Sequence, residues 1–251
     1  QDEIPFGTFA AKSEAGSQHR CSDLWDRSWV SSINTNIGRN SGGMDVIYVI
    51  GIGPGAPSYG LLGSEEIYEK SDYILGSERH LEILPAAYQE KGVVPPKKLA
   101  ELAQLIESYP EESIILYLAS GDPLVYGLGK WLSEKFKGRV VIQPGISSFQ
   151  YLASKVSLPM NEAYLTSSHA KIPNFDFILS LPKVFMVTDK KIGPYEIAQE
   201  VKKRGLKKVL VIGENLSYED ENIEILAEDQ VVNRQYEMNV VVILDEGFGI
   251  Y

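Results

Sequence analysis

Residues 113–126 read Ser-Ile-Ile-Leu-Tyr-Leu-Ala-Ser-Gly-Asp-Pro-Leu-Val-Tyr. A short apolar run, 114–118, stops at Ser120-Gly121-Asp122-Pro123, and a helical pattern follows through Lys135. A run this short and apolar, closed by turn residues, predicts a buried strand that delivers a backbone-rich loop to the edge of a sheet. Ligands of open α/β sheets bind just outside the carboxyl ends of the strands, so this loop is placed to hold something. It carries no recognisable nucleophile. A plainer reading also stands: Asp122 as N-cap with Pro123 at the first helical position. That reading leaves Gly121 unexplained, where the missing Cβ admits close backbone approach.

The same unit recurs on either side. An apolar run at 46–50 ends in Gly51-Ile52-Gly53-Pro54-Gly55. Residues 63–70 predict a helix with Ser64 as N-cap and Glu65-Glu66 in its first turn. Residues 97–108 predict an amphipathic helix with Leu99, Leu102, Leu105 and Ile106 on one face. A strand at 139–142 runs into Pro144-Gly145, and Ser147-x-x-Gln150 is a capping box that opens the next helix. Beyond it come strands at 165–167 and 184–187, a helix at 194–204 with Pro194 at its first position, and a strand at 208–212 ending in Gly213-Glu214-Asn215. The chain closes with strands at 222–227 and 239–244, expected to be adjacent and antiparallel. Strand–helix alternation in both halves predicts an α/β fold of two domains, 44–158 and 159–251.

Residues 1–43 differ in character. They are rich in Ser, Asn, Gly and Arg and show no sustained period. They also lack the apolar core of a signal peptide. The chain starts at Gln1, and Met44 after Ser41-Gly42-Gly43 reads as a natural start. The leader is expected to be non-native or disordered; the alternative is a small appended element anchored by Trp25 and Trp29.

Bulk properties restrict the function classes. The chain has 251 residues, 44% hydrophobic and 23% charged, with a net charge of −10. A nucleic-acid binder usually shows the opposite sign or a strong basic stripe. Here the basic clusters are short, Lys97-Lys98, Lys190-Lys191, Lys202-Lys203-Arg204 and Lys207-Lys208, and most lie at expected helix ends or turns. No apolar run is long enough to cross a bilayer. A single cysteine, Cys21, rules out a disulfide framework within the chain and fits a reducing cytoplasm. The three histidines, His19, His80 and His169, have no metal-ligand spacing, so no protein-held metal is expected.

Gly51-x-Gly53-x-Gly55 after a strand invites a dinucleotide-binding reading. That motif needs a helix at once and an acidic residue about 20 positions on. Pro54, Ala56-Pro57 and Gly60 push the backbone to extended geometry, so no helix begins before about Ser64. A rigid loop closing over a ligand and a plain turn both remain open. Pro144-Gly145-Ile146-Ser147-Ser148 repeats the strand, Gly turn and hydroxyl design, without the GxSxG elbow of a serine nucleophile. Thr166-Ser167-Ser168-His169 is a polar strand end of the same kind. Several such ends can line one cleft rich in backbone donors and acceptors. That cleft suits a neutral or zwitterionic ligand with an adenine, a diol and an amino-acid end.

In that order and at that spacing, Gly51-Ile52-Gly53-Pro54-Gly55, Ser120-Gly121-Asp122-Pro123 and Pro144-Gly145-Ile146-Ser147-Ser148 resemble the tetrapyrrole (corrin/porphyrin) methylase family. The likeness runs from Met44 to the C-terminus. Finer details resemble the family's precorrin-6Y/cobalt-precorrin-7 branch, which methylates carbon 5 of a corrin precursor. They are residues 76–81 (Gly-Ser-Glu-Arg-His-Leu), Leu124-Val125-Tyr126-Gly127, Phe149-Gln150, Ser167-Ser168-His169 and residues 213–221. That branch often has Gly-Asp-Pro-Glu-Leu-Leu-Thr after its first loop; residues 56–62 here read Ala-Pro-Ser-Tyr-Gly-Leu-Leu. Some relatives carry a second domain that acts on carbons 12 and 15, and nothing here is long enough to be that domain.

The resemblance implies two α/β domains with mixed sheets, S-adenosylmethionine in the cleft between them, and a homodimer. Carried over by position, the cofactor would meet Pro54, Gly55, Gly121, Asp122, Val125, Tyr126, Ser147, Ser148, Thr166, Ser167 and Met186. It also implies a cytoplasmic enzyme with a tetrapyrrole substrate and neither a nucleic-acid nor a membrane partner. Methyl transfer from a sulfonium needs alignment and water exclusion, and no activated Ser or Cys. His169 is the candidate proton acceptor, with a cleft carboxylate as the alternative. A substrate of many carboxylates needs local positive charge on this acidic chain, and the candidates are Arg79-His80 and His169-Lys171. Arg79 has a plainer alternative as a surface ion pair with Glu82. Other readings stay open: another precorrin or uroporphyrinogen methylase, a diphthine synthase, a ribosomal-RNA ribose methylase, a Rossmann NAD-dependent oxidoreductase, or a non-catalytic nucleotide sensor.

Overall fold

The structure is a computed structural model that describes residues 46–61, 63–169 and 171–248. The expectations for 1–43, including Trp25 and Trp29, lie outside the described residues.

The first sheet is built from β1 (Val46–Gly51), β2 (Tyr73–Leu75), β3 (Gly92–Val93), β4 (Ile114–Ala119) and β5 (Val140–Gln143). Its order is β3-β2-β4-β1-β5 and every pair is parallel. Parallel sheets need cover on both faces, and the side chains supply it. On one face Ile47, Val49 and Ile115 meet Leu102, Ala103 and Ile106 of α3 (Leu99–Glu107) and Leu132 of α4 (Gly129–Lys135). On the other, Ile50, Ile74, Leu116 and Leu118 meet Ile67 of α1 (Glu65–Lys70) and Leu81 of α2 (Glu78–Glu82).

Two local expectations change. Leu99 is exposed rather than on the apolar face, because the buried stripe of α3 runs through Leu102, Ala103 and Ile106. Ser64 occupies the cap position of α1, but its hydroxyl donates to the Leu61 carbonyl at 3.0 Å and caps nothing.

The second sheet contains β6 (Tyr164–Ser167), β7 (Lys183–Val187), β8 (Lys208–Glu214), β9 (Asn222–Ala227) and β10 (Asn239–Asp245), in the order β6-β7-β10-β8-β9. β6 and β7 are parallel; the other pairs are antiparallel, so this sheet is mixed. The last two strands do not pair with each other as expected. β8 lies between them and pairs with both, which puts its backbone at the sheet interior; its residues are nearly all buried. Phe175 and Ile178 of α6 (Phe175–Ile178) and Ile197, Ala198 and Val201 of α7 (Pro194–Lys203) cover one face. The other is covered by Phe149, Tyr151 and Leu152 of α5 (Ser148–Lys155), against Phe185, Val211 and Val242. Thus α5 precedes residue 158 in sequence yet packs on the second sheet.

Candidate functional site

Three strand ends of the first sheet touch one another. Gly121 donates to the Gly53 carbonyl at 2.7 Å and accepts from the Gly53 amide at 3.4 Å. A Cβ on Gly51 would lie 2.4 Å from the Gly121 oxygen and 2.6 Å from the Gly145 nitrogen. One on Gly145 would lie 2.1 Å from the Gly121 oxygen. Gly53 and Gly121 also have φ of 81° and 63°, a region that favours glycine. Gly51 and Gly145 are therefore required by backbone-to-backbone contact, and Gly121 by its positive φ, which accounts for the glycine that a simple helix start leaves unexplained.

Asp122 is not a helix N-cap. α4 begins at Gly129, and 123–128 is a run of turns in which Tyr126 has φ 55°. The carboxylate accepts from Leu124 N at 2.8 Å and from Gly145 N at 3.2 Å. It thus closes its own turn and ties the loop after β4 to the loop after β5. The capping box at Ser147 is formed: Ser147 Oγ accepts from Gln150 N at 3.2 Å, and Gln150 Oε1 accepts from Ser147 N at 2.9 Å.

These loops form one wall of a cleft of about 1140 Å³. The first sheet contributes Pro54, Gly121, Asp122, Val125, Ser147 and Ser148, all expected from the sequence, together with Ser120 and Arg79. The facing wall comes from Ser168, His169, Lys171, Ile172, residues 187–192, Gly213, Leu216 and residues 235–240. Of the expected contacts, Gly55, Tyr126, Thr166, Ser167 and Met186 lie off the cleft. Gly55 is roofed by Tyr218, whose ring would lie 2.5 Å from an added Cβ. Tyr126 is exposed with its ring edge-on to Phe149. Thr166 and Ser167 are buried at the end of β6, where Ser167 Oγ accepts from His169 N at 3.0 Å. Met186 packs into the core under α6 and α7, because strand residues alternate and Val187 takes the cleft side.

The expected Arg79-His80 cation pair divides. Arg79 reaches the cleft and forms no ion pair with Glu82 among the described residues. Instead Nη2 donates to Ser120 Oγ at 2.8 Å, Nη1 lies 3.3 Å from Met238 Sδ, and the guanidinium is 6.0 Å from the Tyr218 ring centre. His80 is buried beneath it, with Nε2 2.8 Å from Ser120 Oγ and Nδ1 without a hydrogen-bond partner among the described residues. Burial, then the Arg79 charge, pushes its pKa down to about 4, against a weaker pull from the Leu118 carbonyl. His80 is therefore neutral near pH 7 and supports Ser120 instead of presenting charge.

The facing wall is charged, and sequence reasoning missed most of it. Asp189 Oδ1 accepts from Lys191 N and Ile192 N, each at 2.9 Å. The Ile192 and Lys191 bonds hold its carboxyl below the usual range. Lys190 and Lys191 flank the same turn and line the cleft with Lys171 and His169. The signal available in the sequence was position: Thr188-Asp189 directly follows the carboxyl end of β7. Residues 235–240 enter the cleft by returning to β10, and no motif marks them. Among the described residues, no three His, Cys, Asp or Glu side chains are grouped to hold a metal ion, and no helix is long and apolar enough to cross a membrane.

Comparison with known proteins agrees with this architecture. The profile of the tetrapyrrole (corrin/porphyrin) methylases matches residues 46–231. A cobalt-precorrin-7 C(5)-methyltransferase of Salmonella typhimurium is 40% identical over 203 residues, 80% of this chain and 100% of that protein. A probable cobalt-precorrin-7 C(5)-methyltransferase of Methanocaldococcus jannaschii is 29% identical, over 80% of this chain and 98% of its own length. Among solved structures, the precorrin-6Y methylase of Archaeoglobus fulgidus superposes with a TM-score of 0.63 at 23% identity, covering 80% of this chain and 98% of that one. The uroporphyrin-III C-methyltransferase of Thermus thermophilus, solved with S-adenosyl homocysteine, gives 0.61 at 21% identity, covering 79% and 97%. The chain belongs to the tetrapyrrole methylase family.

Proposed function

We propose that this protein is an S-adenosylmethionine-dependent C-methyltransferase of corrin biosynthesis that methylates carbon 5 of cobalt-precorrin-7 or precorrin-6Y. The observation that carries this reading is the likeness to a cobalt-precorrin-7 C(5)-methyltransferase along that enzyme's whole length. The cleft fits the cofactor chemically. It offers main-chain groups at Pro54 and Gly121, hydroxyls at Ser147, Ser148 and Ser168, and carboxylates at Asp189 and Glu237 for a diol or an ammonium. Its volume lies slightly above the usual range for small-molecule sites, leaving room for a second ligand.

S-adenosylmethionine supplies an electrophilic methyl group. The protein's own work is to align the acceptor carbon and exclude water, which is worth about 7–11 kcal/mol in well-oriented systems. Pro54, Gly121, Asp122, Val125, Ser147 and Ser148 form the cofactor wall. Gly55 and Tyr126 support that wall from outside the cleft, and Thr166, Ser167 and Met186 support the facing one. Arg79, Lys171, Lys190 and Lys191 present positive charge to substrate carboxylates, and His169 is the proton acceptor. His80 acts on the substrate through Ser120 and Arg79 only.

The same reading has residues 44–158 and 159–251 as two domains, with α5 at their junction, in a cytoplasmic homodimer. Exposed Tyr164 and Phe177, in edge-to-face contact at 5.3 Å, support a protein contact at the β6 edge. An RNA substrate would require a basic face, against a net charge of −10. A Rossmann oxidoreductase would require a helix directly after Gly55, and α1 begins at Glu65.

The test has two stages. Calorimetry with S-adenosylhomocysteine and with NAD should show binding of the first alone. Labelled S-adenosylmethionine, offered with a panel of cobalt and metal-free precorrins, should then methylate carbon 5. Label transfer to another carbon of the ring would reject the branch and keep the family.

A further inference from the structure

We propose that Glu214 is a positioning residue: it latches the segment 234–238, one face of the cleft, and the order of that segment sets cofactor affinity. The affinity half of this proposal rests on the function proposed above.

Glu214 is the last residue of β8, and its carboxylate is buried at 4% exposure. Strand alternation separates its role from that of its neighbour. Gly213 lines the cleft, while the Glu214 side chain reaches the returning segment. Arg234 Nη1 and Nη2 donate to its two oxygens at 2.9 and 2.5 Å, a paired fork. The amide of Glu237 donates to the same carboxylate at 2.9 Å, and Asn222 Nδ2 lies at 3.3 Å. Arg234 is shared with Glu224 at 2.8 Å, and its guanidinium lies 3.9 Å from the Tyr236 ring centre.

One carboxylate thus fixes residues 234 and 237, while Arg234 backs the ring of residue 236. Both Tyr236 and Glu237 line the cleft. Beyond this latch the segment is held by Tyr236, which packs on the core that includes Val231 and donates to the Val232 carbonyl at 3.0 Å, and by the Arg79–Met238 contact. It is also held where it meets the sheet, by Asn215 N to the Met238 carbonyl at 2.9 Å and Thr188 Oγ1 to Asn239. A buried carboxylate is costly unless fully bonded, and the β8–β10 ladder already closes without it. Its bonds go instead to a loop that faces the ligand.

Hydrogen exchange and S-adenosylhomocysteine calorimetry on the full chain test the latch. Glu214→Gln should speed amide exchange across 234–238 at least about ten-fold, leaving α7 and β8 as in wild type. Its dissociation constant should rise about ten-fold, the scale of one lost charge-assisted bond. Arg234→Met should reproduce both effects. The double variant should be within about two-fold of the worse single one, as members of one interaction are not additive. Unchanged exchange at 234–238, or equal acceleration across the whole second sheet, would overturn the latch. A loosened segment with unaltered affinity would overturn its link to the cofactor. If wild-type protein takes up no S-adenosylhomocysteine, the proposed function fails together with the affinity half, and exchange alone decides the latch.

Discussion

The two walls of the cleft are made of different material. The wall from the first sheet is mostly main chain: Gly51, Gly121 and Gly145 in mutual contact, tied by the Gly53–Gly121 bridge and the Asp122 carboxylate. The wall from the second sheet is mostly side chain: Asp189 on its turn, Glu214 on Arg234, and Lys171, Lys190 and Lys191 around the mouth. This backbone tolerates one residue type, since a Cβ collides at Gly51 and Gly145 and is strained by the positive φ at Gly121. A side-chain latch can be built in many ways. The first wall should therefore fail abruptly when altered, and the second by degrees.

Gly145→Ala is the severest break. Its Cβ would stand 2.1 Å from the Gly121 oxygen and 2.7 Å from Gly51 backbone atoms, none of which can rotate away. The strand ends of β1 and β5 must separate, at a cost above about 3 kcal/mol on the scale of strained or overpacked sites. Thermal unfolding should show a large fall in Tm and calorimetry no cofactor uptake. A variant with wild-type Tm would mean that the strand ends are not in contact in solution.

His80 separates the walls by pH. Its folded pKa, about 4, lies below the ordinary value of 6.5, so the unfolded chain takes up a proton that the folded chain refuses. Stability from this group is complete above about pH 6.5 and is lost as pH falls toward 4. Between pH 7 and 5 the full shift would cost about 2 kcal/mol, and discounted for partial solvent access the loss should be about 1 kcal/mol. Denaturant titrations should show this slope in wild type and a flatter one in His80→Gln. Glu214 cannot produce it. Arg234, then the Glu237 amide and Asn222, hold its carboxyl below the usual range against burial, so its contribution is lost only below about pH 4.5. Equal slopes in the two proteins would show that His80 is not neutral inside.

Asp122→Ala removes the bonds to Leu124 N and Gly145 N but leaves the glycine contacts. A stability loss of about 1–2 kcal/mol is expected, with cofactor affinity down about ten-fold. Reduced turnover at unchanged affinity would give Asp122 a chemical role in place of this structural one.

What the sequence disclosed follows the same division. Gly-x-Gly-Pro-Gly, Ser-Gly-Asp-Pro and Pro-Gly-x-Ser-Ser were readable because steric contact or a positive φ leaves glycine no substitute. The strand order of the second sheet was not. Nothing in 228–238 says that the chain crosses over β8, so the pairing of β9 and β10 came out wrong. The burial of His80 was also hidden: next to Arg79 on a five-residue helix it reads as surface, and only the fold turns it toward Leu118. Asp122-Pro123 looked like a helix start because the local chemistry is identical. The tie to Gly145, 23 residues away, is tertiary.

The smallest expected effect lies among the cations of the second wall. Lys190 and Lys191 are exposed and flank a turn that Asp189 already holds through main-chain amides. Replacing both by Ala leaves those bonds intact, so fold and cofactor affinity should not change. A polycarboxylate substrate would lose only screened, long-range attraction: about two- to three-fold in KM at low salt, vanishing near physiological ionic strength. Arg79 belongs to the first wall and is placed by Ser120 and Met238 with its guanidinium aimed into the cleft. Arg79→Ala should raise substrate KM about ten-fold with little salt dependence and unchanged cofactor affinity, because a directed fork is lost. If the lysine pair costs more than the arginine, charge density at the mouth governs substrate capture. If Arg79→Ala weakens the cofactor instead, the guanidinium belongs to the cofactor wall.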